Sequence, residues 1–301
     1  MLKLRIDLWL GMRRAGGFAL RGYERQLHRF ADFAAERGED QVRAESAVAW
    51  ASQLHTPRQR HKFFQRLVQL ARHLHAEDPR HEIPPDRHFP GLRHRPVPYI
   101  YTPAEARRIV EVAGRLGPAG SIRPHTVSTV LALLFATGLR ISEALGLRTG
   151  DVTPEGLVIR GAKFGKTRLV PLHPSAASGL SRYLDVRRAF AGRDDRVFLS
   201  TLGRGLSGRA FRDAWDDVLG RSGIQQPPRR PRIHDIRHTF AVWALQSAPE
   251  GRDRIARHML AVSTYLGHGC VTDTYWYYQA TPTLMSQVAD ACERRFEGRL
   301  P

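Results

Sequence analysis

The chain has 301 residues, enough for two domains, and its 42% hydrophobic content can build a substantial core, which argues against intrinsic disorder. Its formal net charge of +18 and sequence pI of about 11.0 make a polyanion the first expected partner, most commonly nucleic acid, although charge alone also fits a merely basic protein. The longest apolar run, at 130–136, is far too short to span a bilayer, so we expect no membrane protein.

The N-terminus and the cysteines indicate a reducing compartment. The opening residues, M-L-K-L-R-I-D-L-W-L, lack the long apolar region and the small-residue cleavage site of a signal peptide. Cys270 and Cys292 have no spacing typical of metal ligands, and we expect both to be free thiols. These features predict a cytoplasmic protein.

The first 80 residues predict a small all-helical domain. Residues 1–15 mix apolar and basic side chains and fit either an arm or a first helix. Helices are predicted over 18–37 and 42–54 from the spacing of their apolar residues. Thr56 and Pro57 then form an N-cap followed by proline at the first helical position, which predicts a third helix. Arginines on the outer faces fit a solvated surface or contacts to phosphates.

Six prolines between positions 79 and 98 interrupt any sustained period and predict a linker at 81–99. The linker separates the helical domain, 1–80, from a second domain at 100–301. The elements predicted in the second domain are helices at 102–115, 125–136 and 141–147, strands at 157–160 and 168–172, and helices at 174–190, at 207–220 and from about 234. Thr102 and Glu105 predict a capping box at the start of the first of these helices, and Gly138 predicts the end of the second. The fold class is therefore mostly α with a small β-sheet or hairpin.

The helix beginning near His234 carries the segment H-D-I-R-H. His234, Arg237 and His238 are spaced i, i+3 and i+4, so one helix face presents all three. The segment also resembles the zinc-binding pattern H-E-x-x-H, with Asp235 in place of the glutamate. A catalytic zinc needs a third protein ligand, and Arg237 would repel a dication, so we do not predict a zinc site here. Taken alone, His234 also fits a helix cap or a core histidine.

Arginine, lysine and tyrosine at other positions complete a set of groups suited to phosphoryl transfer. The planar guanidinium groups of Arg140 and Arg237 can each hold two phosphate oxygens. Only four of the 47 basic residues are lysines, and two of them, Lys163 and Lys166, lie in one predicted hairpin. A lysine ammonium can yield a proton, which a guanidinium cannot do.

Four segments in this order resemble the tyrosine recombinases of the phage integrase family. They are A-T-G-L-R-I-S-E-A-L-G-L, A-K-F-G-K-T-R-L-V-P-L, H-D-I-R-H-T-F-A, and Y-L-G-H followed nine residues later by a tyrosine. The motifs lie within about 100–280. The resemblance implies an N-terminal helical, SAM-like DNA-binding domain and a C-terminal mixed α/β catalytic domain. Residues 1–80 are compatible with the former but carry no diagnostic motif.

The resemblance also implies roles for the groups that contact phosphate. Arg140 and Arg237 match the pair that clamps the scissile phosphate, and Glu143 matches the residue that supports Arg140. His268 matches the histidine that donates a hydrogen bond to a non-bridging oxygen.

The remaining roles concern protons and the nucleophile. Lys163 matches the lysine that protonates the leaving 5′ oxygen, and Lys166 is the nearby alternative. His234 matches the histidine that manages the proton of the nucleophile. Tyr277 matches the nucleophile itself; Tyr275 and Tyr278 are rivals, and the spacing from His268 is the only reason to prefer Tyr277.

The implied activity is site-specific recombination of DNA without metal or nucleotide, through a 3′-phosphotyrosyl intermediate, in integration, excision or transposition of a mobile element. The implied partners are double-stranded DNA carrying specific sites, three further copies in a tetramer, and accessory or directionality proteins; the location is the bacterial nucleoid. Residues 282–296 are a candidate helix for exchange between copies, with packing on its own domain as the alternative. His268 lies 34 positions after His234, longer than is usual in the family, and the extra residues are expected within 246–258.

Three other functions are compatible with parts of this pattern. A catalytically silent relative would bind DNA without cleaving it. An enzyme like a type IB topoisomerase would relax DNA by the same chemistry without pairing sites. A metal-dependent nuclease would need a cation, which the other functions do not need.

Overall fold

The structure, a computed structural model, describes residues 1–18, 20–91, 97–160, 167–190, 194–224, 230–247 and 252–267. The chain divides into two compact units, Met1–Pro96 and Val97–Pro301. Within the described ranges the regular structure is mostly helical, with one three-stranded antiparallel sheet. The predicted fold class is confirmed. None of the described helices is both long and apolar enough to cross a membrane.

The first unit consists of four helices packed around one core. They are α1 (Leu2–Ala15), α2 (Arg21–Glu36), α3 (Ala44–Ser52) and α4 (Pro57–Glu77). Residues 1–15, which fitted an arm or a helix, form a helix because Ile6, Trp9 and Leu10 are buried on one of its faces. The N-cap predicted at Thr56 is confirmed: its hydroxyl accepts the backbone N–H of Gln59 at 3.2 Å.

Residues 78–91, which follow α4, pack against the helices of the first unit. His81 is fully buried, and its Nδ1 accepts the backbone N–H of Val42 at 3.0 Å. The Phe89 ring meets that of Phe64 edge-on, with 5.1 Å between centroids. The predicted linker therefore includes residues that belong to this core, because individual buried groups can anchor a segment without any periodicity.

The second unit contains seven described helices and the sheet. The helices are α5 (Pro103–Ala113), α6 (Arg123–Thr137), α7 (Ile141–Gly146), α8 (Pro174–Phe190), α9 (Gly208–Ser222), α10 (Ile233–Gln246) and α11 (Arg252–Leu266). The strands are β1 (Val152–Thr153), β2 (Gly156–Ile159) and β3 (Arg168–Val170), in the order β1-β2-β3. The capping box predicted at Thr102 and Glu105 is present at the start of α5.

Strands β2 and β3 pair as the predicted hairpin requires. They are antiparallel, and Leu157 lies opposite Val170 while Ile159 lies opposite Arg168. The connecting residues 161–166, including Lys163 and Lys166, lie outside the described residues.

Helix α11 is an element that sequence reasoning missed. Its first half is charged and exposed, so no apolar stripe runs along its whole length. Its second half buries Met259, Val262 and Leu266 against α10. Three apolar residues at this spacing can occur by chance in a sequence, so the helix is recognised only from its packing in the structure.

Gly138 brings the end of α6 into contact with α10 and α11. Its φ of 61° is left-handed, which ends α6 as the sequence predicted. A Cβ at this position would lie 2.5 Å from the Phe240 ring and 2.8 Å from the Leu266 side chain. Glycine is required for both reasons, and the ends of α6 and α11 meet the middle of α10 just before Arg140.

Candidate active site

Arg140 and Glu143 lie together at the start of α7. Arg140 is the N-cap residue, and its backbone N–H donates to Glu143 Oε2 at 3.0 Å. Its Nη1 donates to Glu143 Oε1 at 2.8 Å, and its Nη2 donates to the Gly267 carbonyl at 3.3 Å. The side chain remains 29% exposed, so the guanidinium is oriented by protein groups while part of it faces solvent.

Arg168 on β3 contacts the same carboxylate and was not singled out from the sequence. Its Nη1 and Nη2 donate to the two oxygens of Glu143 at 3.1 and 2.9 Å, and its Nε donates to the Tyr265 carbonyl at 3.1 Å. Val170, two residues on, is fully buried. Residues two apart on a strand share a face, so an arginine at 168 pointing inward was a signal available in the sequence.

The carboxylate of Glu143 is ionised at neutral pH. Burial by itself raises its pKa, but the hydrogen bonds from Arg168 and Arg140 outweigh burial and hold the pKa at about 2. The ionised group therefore stabilises the fold fully above pH 4.5, and this contribution is lost as the pH falls toward 2.

We expect the free energy of unfolding to depend less on pH in the acid range in Glu143→Gln than in wild type. The shift from 4.5 to about 2 corresponds to roughly 3 kcal/mol. At neutral pH the variant should be less stable than wild type, and the gap in free energy of unfolding should close by about that amount between pH 5 and pH 2. Urea unfolding at both pH values measures it. A gap that is the same at both would contradict the assignment of the pKa.

Arg237 on α10 is buried where the helix ends meet. Its side chain is almost wholly inaccessible, with 3% of the residue exposed. Its Nη1 donates to the Gly138 carbonyl at 2.8 Å and its Nη2 to the Leu266 carbonyl at 2.7 Å. The end of α6 and the end of α11 thus fix this guanidinium from two directions.

His234 and His238 lie one turn apart on α10 and contact each other. Their ring centroids are 4.7 Å apart, with the rings nearly perpendicular. The helix start is held by Asp235, whose buried carboxylate accepts the backbone N–H of Arg232 at 2.7 Å. The side chain of His234 is exposed to solvent on one side. Desolvation by the surrounding protein atoms nevertheless lowers its pKa, and the nearby positive charge of Arg237 lowers the pKa further. Its imidazole is therefore neutral at pH 7 and able to accept a proton.

The structure brings four of the predicted residues into one neighbourhood: Arg140, Glu143, His234 and Arg237. The Glu143 carboxylate accepts hydrogen bonds from two guanidinium groups, those of Arg140 and Arg168. Arg237 binds the Gly138 carbonyl nearby, so these three arginines and one glutamate carry a net positive charge suited to an anion such as phosphate. Among the described residues, no group of three or more His, Cys, Asp or Glu side chains is placed to hold a metal ion.

The other predicted site residues lie outside the described residues: Lys163, Lys166, His268, Tyr275, Tyr277 and Tyr278, together with the candidate exchange helix at 282–296. Two described residues lie close to them in the sequence: Arg168, two positions after Lys166, and Gly267, directly before His268.

A cavity of about 650 Å³ lies beside this neighbourhood, along α7 and the start of α9, and none of the four residues lines it. Ile141 of α7 and Ile233 of α10 line it at the end nearest the predicted residues. Three arginines line it as well: Arg196, Arg204 and Arg212. Asp194 lines it too, so the charged side chains of this lining, three arginines and one aspartate, are net positive.

Comparison with known proteins identifies one family and three similar proteins. The model of the phage integrase family matches residues 101–283, more than half of the chain. A putative integrase/recombinase, y4rB, of Sinorhizobium fredii strain NGR234 is 35% identical over 98% of both chains. Among solved structures, XerH site-specific recombinase bound to its difH substrate has a TM-score of 0.68 at 17% identity, covering 90% of this chain and 79% of that one. The Tn1549 transposon integrase bound to transposon right end DNA has a TM-score of 0.64 at 16% identity, covering 96% and 98%.

Proposed function

The chain belongs to the phage integrase family of tyrosine recombinases, and on that premise we propose that it cleaves and rejoins DNA at specific sites through a 3′-phosphotyrosyl intermediate. One observation carries the proposal: Arg140 and Arg237 are held by hydrogen bonds to protein groups beside a neutral His234. A net positive site with a proton acceptor is what attack by a hydroxyl on a phosphodiester needs.

In the proposed reaction the Tyr277 oxygen attacks phosphorus and gives its proton to His234. The guanidinium groups of Arg140 and Arg237 bind the non-bridging oxygens, and His268 donates a hydrogen bond to one of them. The bond from phosphorus to the 5′ oxygen breaks, and Lys163 protonates that oxygen. The products are a 3′-phosphotyrosine and a free 5′-hydroxyl, and attack by a 5′-hydroxyl of another strand reverses the step.

Fixed cations supply most of the rate in this scheme. The arginines are already oriented by Glu143 and by backbone carbonyls, so little reorganisation accompanies the growth of negative charge on phosphorus. Every charge used in the scheme belongs to a side chain, and we expect full activity in EDTA.

The biological setting is part of the proposal. The y4rB relative is named an integrase/recombinase, and one structure with the same fold is a transposon integrase on transposon end DNA. We propose that this chain likewise acts on double-stranded DNA of a mobile element, in integration, excision or transposition. We further propose a tetramer on two paired sites, joined by exchange of residues 282–296, assisted by accessory or directionality proteins and located in the cytoplasm.

Strand exchange is the experiment that tests the function. Two plasmids carrying the gene with its native flanking DNA, each with a different marker, are incubated with the protein in EDTA. Recombinant joints support the proposal. Relaxation of supercoils without joints would favour the topoisomerase-like alternative, cleavage only with added Mg²⁺ the nuclease, and tight binding with neither product the silent relative.

We expect Lys163→Ala to be rescued by a modified substrate. A 5′-phosphorothiolate leaves as a thiolate and needs no proton, so the variant should cleave it nearly as fast as wild type while failing on ordinary DNA. Gel analysis of single-turnover cleavage measures both. Lys166→Ala serves as the matched control and should cleave both substrates. Rescue of the Lys166 variant instead would move the acid role to Lys166.

The rate of cleavage should also report the depressed pKa of His234. At subsaturating DNA, the pH profile reflects the free enzyme, so the rate should stay level near pH 7 and fall only below the ordinary histidine pKa of about 6.5. His234→Gln should be slow and lack this acid limb. A midpoint above the ordinary value in wild type would show that His234 is not the base.

A further inference from the structure

Three arginines from three elements hold the end of α11. The last carbonyls of a helix lack partners within it and carry partial negative charge, which guanidinium groups can satisfy. The three hydrogen bonds run from Arg168 to the Tyr265 carbonyl, from Arg237 to the Leu266 carbonyl and from Arg140 to the Gly267 carbonyl, at 3.1, 2.7 and 3.3 Å. Consecutive carbonyls are thus each bound by a different element.

Arg168 differs from Arg140 in how it uses its donors. All three of its guanidinium nitrogens donate to protein groups, Nε to the Tyr265 carbonyl and both Nη atoms to Glu143, and its side chain is only 12% exposed. Arg140, with 29% exposed, keeps a face toward solvent. Arg168 is therefore arranged to hold protein groups, whereas Arg140 is arranged to receive a ligand.

The two groups that orient Arg140 are both in contact with Arg168. Glu143 Oε1 accepts from Arg140 at 2.8 Å and from Arg168 at 3.1 Å. Gly267, whose carbonyl accepts from Arg140, packs so closely on Arg168 that a Cβ there would lie 2.8 Å from its Nη1. A shift of Arg168 would consequently displace both anchors of Arg140 together.

We infer that Arg168 is a positioning residue for strand cleavage, which fixes Glu143 and the end of α11 and through them aims the guanidinium of Arg140 at the scissile phosphate. The inference rests on the proposed function and adds a residue to it. Lysine cannot replace Arg168, because one ammonium cannot form the two parallel bonds to Glu143 and also reach the Tyr265 carbonyl.

The test compares Arg168→Lys with Arg187→Lys. Arg187 is a matched control, since it is also buried, 7% exposed, but donates to the backbone carbonyls of Asp194, Arg196 and Val197 instead of to Glu143 and the end of α11. Single-turnover cleavage at saturating DNA should fall about 100-fold in Arg168→Lys, as expected for a misplacement of about 1 Å. DNA affinity should change little. Arg187→Lys should lose thermal stability but keep the wild-type rate. Equal rates in the two folded variants would overturn the inference.

A double-mutant cycle separates positioning from general damage. If Arg168 acts through Glu143, the double variant Arg168→Lys/Glu143→Gln should cleave about as slowly as the slower single variant, since contacting residues are not additive. If the rate reductions of the two single variants instead multiply in the double variant, the inference is overturned. If Arg168→Lys does not fold, Glu143→Asp replaces it: its shorter side chain keeps the charge but cannot reach both arginines, and an unchanged rate would overturn the inference. Failure of wild type to cleave would instead refute the proposed function.

Discussion

Tyr277→Phe should abolish the covalent protein–DNA complex while leaving affinity for DNA nearly unchanged. The substitution removes one hydroxyl and no charge, and neutralisation of phosphates by the many arginines dominates affinity. In the proposed reaction, by contrast, loss of the Tyr277 hydroxyl removes the atom that forms the bond to phosphorus. We expect loss of cleavage below detection, which means at least about 1,000-fold.

The measurement uses DNA carrying the native flanking sequence, incubated in EDTA and quenched with SDS. Protein-linked DNA should form with wild type and be absent with the variant. Tyr275→Phe and Tyr278→Phe are matched controls, because each removes the same hydroxyl from a neighbouring position of the same aromatic segment. Persistence of the adduct in Tyr277→Phe, with loss in one of the controls, would reassign the nucleophile.

Arg237→Lys should give the second largest effect, a fall in cleavage of about 100- to 1,000-fold, as is typical when one donor to a developing negative charge is removed. The guanidinium spans the Gly138 and Leu266 carbonyls at 2.8 and 2.7 Å. A lysine ammonium keeps the charge but cannot bridge both carbonyls and also present two parallel donors to phosphate. Charge is unchanged, so affinity for DNA should fall only slightly.

Some loss of stability will accompany this substitution, since a buried carbonyl left without a donor costs about 1–3 kcal/mol. Arg187→Lys again supplies the comparison, because it too removes bonds from a buried arginine to backbone carbonyls. Rates are compared at a temperature where both variants are folded by circular dichroism. If the two variants cleave equally fast, Arg237 has only a structural role.

The predictions for Arg237 and Arg168 rest on different mechanisms. Arg237 is proposed to contact the phosphate, so its loss should lower the rate whatever the state of Glu143. Arg168 is proposed to act through Glu143, so its effect should vanish when Glu143 is already replaced. Finding both patterns would assign contact and positioning roles to two arginines that bind neighbouring carbonyls of α11.

The sequence by itself determined the features that depend on a few neighbouring residues. The capping residues Thr56 and Thr102, the helix end at Gly138 and the paired strands on either side of 161–166 were all predicted and confirmed. Such signals are local, because a cap or a turn is decided by hydrogen bonds and backbone angles within about four residues. The order of four short motifs likewise sufficed to place the chain in its family.

Only the tertiary structure decided which groups meet. The bond from Arg140 to the Gly267 carbonyl joins residues 127 positions apart, and that from Arg237 to the Gly138 carbonyl joins residues 99 apart. Neither Arg168 nor helix α11 was recognised from the sequence. The physical reason is that a buried guanidinium is paired with whatever carbonyl or carboxylate the packing of distant elements brings within about 3 Å, and no local pattern records that partner.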